Sequence, residues 1–217
     1  MSTLPADPKA KPLKRPTQAR AKFTVQAIFD AFVRIWQRDG WERLTTRAVA
    51  LEAGIAVGTL YEYFPSKAAL QSGYVRHCIE ALVQAVDTQA VHPANLSWRE
   101  RLHRLVALAC GVSAEPPSWF HPDMLSIEPQ VAEPKHQRRA HEELCAMWQR
   151  VFDACTDLPQ RPSPETVRAL HLAVWGGRRY AMLVRLPDAQ VRQWAAEMER
   201  LCILAVLNPQ ASNQESP

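Results

Sequence analysis

The sequence predicts an all-α chain of about nine helices, a small N-terminal domain followed by a larger helical one. Three observations carry that prediction. Apolar residues recur three and four positions apart through most of the 217 residues, the period of a helix with one buried face. No stretch alternates apolar and polar residues in the manner of a half-buried strand. Prolines sit at the ends of the periodic stretches, where they stop helices without breaking them.

Residues 1–16 hold Pro5, Pro8, Pro12 and Pro16 beside Lys9, Lys11, Lys14 and Arg15. Without apolar periodicity this segment reads as a disordered basic arm. It is either a tether for phosphates or a minor groove, or a solubilising tail. Thr17 suits the N-cap of a first helix running to about Arg38, with Phe23, Ala27, Ile28, Ala31, Phe32, Ile35 and Trp36 on one face. Asp39-Gly40 ends it, and Trp41 and Leu44 pack into the small domain. Thr45 or Thr46 caps a second helix. A third runs from about Ala56 to Phe64, where Pro65 stops it. Ser66 caps a long fourth helix reaching about Gln89, whose Leu70, Val75, Ile79, Leu82 and Val86 face first one domain and then the other.

Beyond His92-Pro93, Ser97 opens a helix with Trp98, Leu102, Leu105, Val106 and Leu108 on its apolar side. Pro116-Pro117 ends it. Pro122, Pro129 and Pro134 leave room only for short helical turns over 118–134. A longer helix follows from Pro134 to Cys155, then a proline-rich loop from Asp157 to Pro164. The last two helices span about 164–185 and 188–207, split by Pro187. The expected organisation is therefore a disordered arm over 1–16, a small domain over 17–67, a larger helical domain over 68–207 and a disordered tail over 208–217.

Charge is distributed unevenly. The net charge is +4. Residues 1–70 carry 11 Lys/Arg against 6 Asp/Glu, or +5, and residues 71–217 carry 15 against 16, or −1. The basic excess thus lies wholly in the first third, a distribution suited to phosphate binding at one end. No apolar run is long enough to span a bilayer, and no apolar segment follows the N-terminal charges as in a secretory signal. Five cysteines, odd in number and without a C-x-x-C pair, read as reduced thiols of a cytoplasmic protein.

One stretch carries functional information. Residues 45–67 read TTRAVALEAGIAVGTLYEYFPSK. Ala50 supplies a small side chain where two helices cross closely. Gly54, four residues on, suits a tight turn needing a left-handed backbone. Leu60, six further on, anchors the second helix to the core. That is the spacing of a helix-turn-helix, which lays its second helix in a DNA major groove.

Within it, Gly58-Thr59-Leu60-Tyr61, then Tyr63-Phe64, then Ser66-Lys67, resembles the signature of the TetR family of bacterial transcriptional regulators. The resemblance covers residues 23–70, about a quarter of the chain. It implies an all-helical homodimer, a helix-turn-helix domain that binds double-stranded DNA at a palindromic operator, and a larger domain that binds a small-molecule effector. Repression is the family's usual mode. The resemblance further implies that Thr46, Thr59, Tyr63 and Lys67 contact phosphates, and that Val57, Gly58 and Tyr61 lie nearer the bases.

The residues themselves add to this. Ala56, Val57, Gly58, Thr59, Tyr61 and Tyr63 occupy the exposed face and N-terminal end of the short second helix, whereas Leu60 and Phe64 form its buried side. Arg47 is either a solvated charge or a phosphate contact. No Gln, Asn or Arg occurs over 56–64, so base reading would rest on methyl contacts, tyrosine hydroxyls and DNA shape.

The resemblance also implies dimerisation through the last two helices, which suits the apolar stripes Val167, Leu170, Val174, Gly177, Ala181 and Val184 on the first, and Val191, Trp194, Met198 and Leu201 on the second. The alternative is that these stripes face their own core. An apolar effector pocket is expected among Trp98, Trp119, Phe120, Met124, Trp148, Phe152 and Trp175, with His121, Glu128, His141 or His171 as polar anchors, although such aromatics also serve as plain core.

An enzyme is not expected. The chain has no nucleophile elbow, Gly-rich phosphate loop or H-E-x-x-H motif, and solvated helix charges account for the acid-base groups near His141-Glu142-Glu143. No cofactor or metal is expected. His141 and Cys145 are a workable ligand pair one helical turn apart, but partners such as His121 or Asp123 are not seen to converge on them. The remaining alternatives are a metal- or redox-responsive regulator of the same fold, and a regulator that answers to a protein partner instead of a ligand.

Overall fold

A computed structural model describes residues 19–112, 120–121, 123–124, 127 and 134–208. The expected arm, Thr17, Trp119, Pro122, Glu128 and nearly all of the C-terminal tail lie outside the described residues. Among those described there are eight α-helices and no strand. Two compact units form, Met1–Ile79 with Glu115–Gln137, and Glu80–Ala114 with Arg138–Pro217.

The first unit contains α1 (Ala19–Asp39), a 3₁₀ turn (Trp41–Arg43), α2 (Thr46–Glu52), α3 (Val57–Tyr63) and the first turns of α4 (Lys67–Val86). Its core is Ile28, Phe32, Leu44, Leu60, Leu70 and Tyr74, all fully buried. Burial of each such side chain stabilises by roughly 1.5–3 kcal/mol. Phe23 departs from the expected apolar face of α1: it is 83% exposed, and full burial on this helix begins at Ile28.

The small unit also extends beyond the expected boundary at residue 67. Tyr74 of α4 packs its ring 4.8 Å from that of Phe32. Its hydroxyl accepts the His121 backbone N–H at 2.8 Å. The His121 imidazole stacks on Trp36 at 3.8 Å, with the rings 2° from parallel. These contacts carry the segment around 120–124, including Phe120 and Met124, into the first unit. Burial lowers the His121 pKa, and its Nδ1 accepts the Asp123 N–H at 3.1 Å. The residue is thus engaged in packing, not poised as an acid-base group.

The second unit contains the end of α4, α5 (Trp98–Cys110), most of α6 (Pro134–Ala154), α7 (Pro164–Leu183) and α8 (Asp188–Leu207). Leu102, Leu105, Leu144, Trp148, Phe152, Cys202 and Val206 fill its core. Ser97 and Glu100 close a capping box on α5. Ser163 caps α7, with Pro164 in the first turn.

Where α4 was expected to continue to Gln89, it ends at Val86 and passes into a π-helical turn, Asp87–Val91. Arg101 of α5 explains the termination. It is buried, and its guanidinium donates to the carbonyls of Ala90 at 2.7 Å, Val91 at 2.9 Å and Pro93 at 2.6 Å. Carbonyls that Pro93 prevents from continuing a helix find a charged donor instead. A second buried arginine, Arg178 of α7, donates to Ala109 O at 3.0 Å at the C-terminal end of α5, where carbonyls carry the negative end of the helix dipole.

All five cysteines are free thiols; Cys78, Cys110, Cys155 and Cys202 are buried and Cys145 half-buried. No helix among the described residues is long and apolar enough to cross a membrane.

Candidate nucleic-acid interface

The helix-turn-helix is built by local chemistry. Thr45 caps α2, its Oγ1 accepting the Ala48 N–H at 3.1 Å. Gly54 turns the chain with φ of +68°, a conformation that a Cβ would disfavour. The Ile55 N–H then returns to Ala50 O at 3.0 Å. Ala50 and Leu60 are completely buried and Phe64 almost so, so α3 is held against the unit by the side of the helix its apolar spacing indicates.

The opposite side of α3 is open. Arg47, Ala56, Gly58 and Tyr61 are exposed, and Thr46, Val57, Thr59, Tyr63 and Lys67 are half-buried. None of the nine candidate residues is in the core. The hydroxyls of Thr46 and Tyr61 meet at 3.1 Å and join the first turn of α2 to the outer face of α3. The Lys67 ammonium donates to Trp41 O at 3.4 Å and lies 4.9 Å from the centroid of the Trp41 ring. It is thereby positioned at the start of α4, whose Ala69 N–H is capped by Ser66 Oγ at 3.1 Å.

Gly58 is informative because the protein does not require it. A Cβ built on this residue would meet nothing within 4 Å, and its φ is not positive. Glycine inside a helix costs up to ~1 kcal/mol relative to alanine. Internal packing supplies no reason for that cost, so the reason is sought outside the chain.

An ion-pair group on the back of α2 was not foreseen. Arg34 and Arg38 both bind Glu52, at 3.0 Å and 3.2 Å, and Arg38 also binds Asp39 at 2.9 Å. Hydrogen bonds from Arg34 and Arg38 hold the Glu52 carboxyl below its ordinary range. These arginines are committed to neighbouring acids, so the net excess of the first third is unchanged but is carried by its other basic residues. Charge counting along the chain could not reveal this, because the partners lie 18 and 14 residues apart.

The two stripes expected to form a dimer face divide in the structure. Val167, Val174 and Ala181 are buried within their own unit, so this face of α7 is turned to the core of the protomer. Gly177 packs against Trp194 of the same chain. Leu170, Val191, Trp194 and Met198 are half-buried, and only Val184 and Leu201 are exposed. The outward side of α7 is instead Leu172, Gly176, Tyr180 and Leu183, with Tyr180 64% and Leu183 76% exposed. Residues 172 and 174 differ by about 200° around a helix, which places the two sets on opposite sides. Leu201, Leu204 and Leu207 make the corresponding exposed row on α8.

The candidate pocket residues also separate. Phe120 and Met124 belong to the first unit; Trp98, His141, Trp148, Phe152 and Trp175 belong to the second. Trp98, Trp148 and Phe152 are core side chains. His171 is the centre of an aromatic group, with ring centroids 5.4 Å from His141, 6.1 Å from Trp148 and 6.5 Å from Trp175.

Comparison with known proteins agrees with this geometry. Residues 22–72 match the bacterial regulatory proteins of the tetR family. Over 80 residues the chain is 34% identical to the HTH-type transcriptional repressor KstR of Rhodococcus jostii, covering 37% of this chain and 36% of that one. Over 43 residues it is 54% identical to KstR of Mycolicibacterium smegmatis, covering 20% and 21% of the two chains. The matched stretch therefore spans about a third or less of these curated relatives. The solved structure of a TetR transcription regulator from Haloarcula marismortui shares the fold with a TM-score of 0.60 at 19% identity, over 83% of this chain and 98% of that one. The helix-turn-helix segment thus matches the tetR family of bacterial regulatory proteins in sequence, and the helical architecture as a whole shares its fold with a solved regulator.

Proposed function

We propose that the protein is a sequence-specific DNA-binding transcriptional repressor, acting as a homodimer on a palindromic operator and released by a small, hydrophobic or aromatic effector. The carrying observation is the exposed surface of α3. There an unforced glycine, Gly58, lies near a tyrosine hydroxyl held by Thr46 at 3.1 Å, with Lys67 positioned at the next helix start. Such a surface has backbone that can approach phosphates closely and hydroxyls that can reach base edges. The KstR relatives are repressors, which favours repression over activation.

A seven-residue reading helix holds DNA weakly by itself. Two copies related by a two-fold axis would engage half-sites roughly 34–36 Å apart. The exposed rows on α7 and α8, Tyr180 and Leu183 with Leu201 and Leu204, are the surfaces that such pairing would cover. An effector releases the dimer only through a difference in its affinity for the bound and free conformations. The aromatic group of His141, Trp148, His171 and Trp175 suits a planar or apolar ligand.

The test is selection of bound duplexes from a random DNA library, repeated with Tyr61→Ala and Lys67→Ala. A palindromic motif, recovered by the parent and weakened in both variants, is the expected result. Recovery of no motif by folded protein at low salt would overturn the reading.

A further inference from the structure

Among the described residues of the second unit, the two histidines of that aromatic group also belong to a cluster of ligating side chains. His141 and Cys145 lie one turn apart on α6, and His171 meets them from α7. One ligand atom from each lies within 4.8 Å of the other two. Cys145 Sγ is 3.5 Å from Nε2 and 3.7 Å from Nδ1 of His141. His171 is only 1% exposed, and its Nε2 is buried without a hydrogen-bond partner. Native proteins seldom leave such an atom unsatisfied. A simple Cys145–His141 hydrogen bond would account for two of the three residues and leave the His171 nitrogen unexplained.

We infer that His141, Cys145 and His171 form a site for one thiophilic d¹⁰ cation, Zn²⁺ or Cu⁺, bridging α6 and α7. The donor set selects this class. A thiolate and two imidazoles suit zinc and copper, whereas calcium and magnesium require oxygen ligands. The geometry is close to what is needed. Bonds of about 2.0–2.1 Å to nitrogen and about 2.3 Å to sulfur put tetrahedral ligands roughly 3.4–3.6 Å apart. The Cys145–His141 separation already meets this, and the remaining atoms must close by about 1 Å, within reach of side-chain rotation.

Cation binding would break the Cys145 S–H bond, release that proton to solvent and form the metal–sulfur bond, with no change of oxidation state. The half-buried positions of His141 and Cys145 leave a route in from solvent. The open side leaves a fourth position for water on Zn²⁺; Cu⁺ would be satisfied by the three protein ligands. The site does not depend on the DNA-binding reading, and binding of the metal is measured directly.

The test uses tag-free, reduced, full-length protein stripped with a chelator. It is titrated with Zn²⁺ against a chromophoric chelator and, under anaerobic reducing conditions, with Cu⁺ against a Cu⁺-specific one. Co²⁺ serves as a spectroscopic stand-in, because a thiolate ligand gives a near-ultraviolet charge-transfer band. One equivalent of Zn²⁺ or Cu⁺ per chain is expected, the tighter of the two naming the cation. Cys145→Ser should abolish the cobalt band. Cys145→Ser and His141→Ala, both at half-buried positions, should each weaken binding at least about tenfold with unchanged circular dichroism. Failure of folded protein to bind either ion would overturn the proposal. So would binding of equal strength in both variants, which would locate the ion elsewhere.

Discussion

The hydroxyl of Thr46, at the start of α2, and the hydroxyl of Tyr61, on the outer face of α3, lie 3.1 Å apart. The two residues are 15 positions apart in sequence, and their bond spans the helix-turn-helix on its solvent side while Leu60 anchors α3 from beneath. Tyr61 is 44% exposed, so water competes for the bond and its contribution to folding falls at the low end of the usual ~0.5–1.5 kcal/mol. Its larger effect is to orient the tyrosine. Tyr61→Phe should therefore leave the denaturation midpoint nearly unchanged while weakening operator binding about tenfold, a loss of about 1.4 kcal/mol. Parallel urea melts and DNA titrations at one salt concentration check this. An equal loss in stability and in binding would show the bond to be chiefly a fold contact.

Gly58 separates stability from function in the opposite sense. A Cβ there meets nothing within 4 Å, and alanine is the better helix former by up to ~1 kcal/mol. Gly58→Ala should raise the unfolding free energy by roughly 0.5–1 kcal/mol and lower DNA affinity, because the added methyl stands where a DNA backbone would approach. Stabilisation without loss of DNA affinity would remove Gly58 from the interface.

Arg101 should be among the most sensitive positions of the second unit. It satisfies three carbonyls at the break between α4 and α5. Arg101→Met keeps the aliphatic bulk but leaves those acceptors without their charged donor. The expected cost is about 3 kcal/mol, in the range for breaking a buried charged contact. Chemical denaturation measures it, and hydrogen exchange should show the loss of protection centred on residues 87–93.

The exposed row on α7 makes a prediction about assembly. Tyr180 and Leu183 are solvent-facing in the single chain, and two copies pairing through them would bury both. Leu183→Glu should convert a dimer to a monomer in sedimentation experiments with the helical content unchanged. Val174→Glu, on the inward side of the same helix, should instead unfold the second unit. A dimer indifferent to Leu183→Glu would place the interface elsewhere.

The contrast between these two positions also shows what was legible in the sequence. Ala50, Gly54 and Leu60 could be placed because the helix-turn-helix ties residue type to geometry at fixed spacing: a small contact, a positive φ and a buried anchor. On α7 both sides of the helix are apolar, Val174 and Ala181 on one and Leu172, Tyr180 and Leu183 on the other. Periodicity reveals such stripes but not which of them meets the protomer's own core. Arg101 and Arg178 were hidden for another reason. An arginine within a helical pattern reads as a solvated charge until its acceptors are known, and Ala109 O lies 69 residues from Arg178. His171 likewise joins His141 and Cys145 only through the packing of two separate helices.

His171 finally links that packing to pH. Its pKa in the folded chain is about 4, lowered from 6.5 first by burial and then by the neighbouring His141. Between those two values an unfolded chain holds a proton on this ring and the folded chain does not, so acidification favours unfolding. The contribution to stability is complete above pH of about 6.5 and is lost as the pH falls towards 4, by about 1.4 kcal/mol per pH unit. His171→Phe preserves a ring against Trp148 and Trp175 and removes the titration. Urea midpoints measured in chelator from about pH 7 to about pH 4.5 should fall more steeply for the parent than for this variant. Parallel curves would mean that the His171 ring is hydrated or partnered in solution, and would also weaken the case for it as a waiting metal ligand.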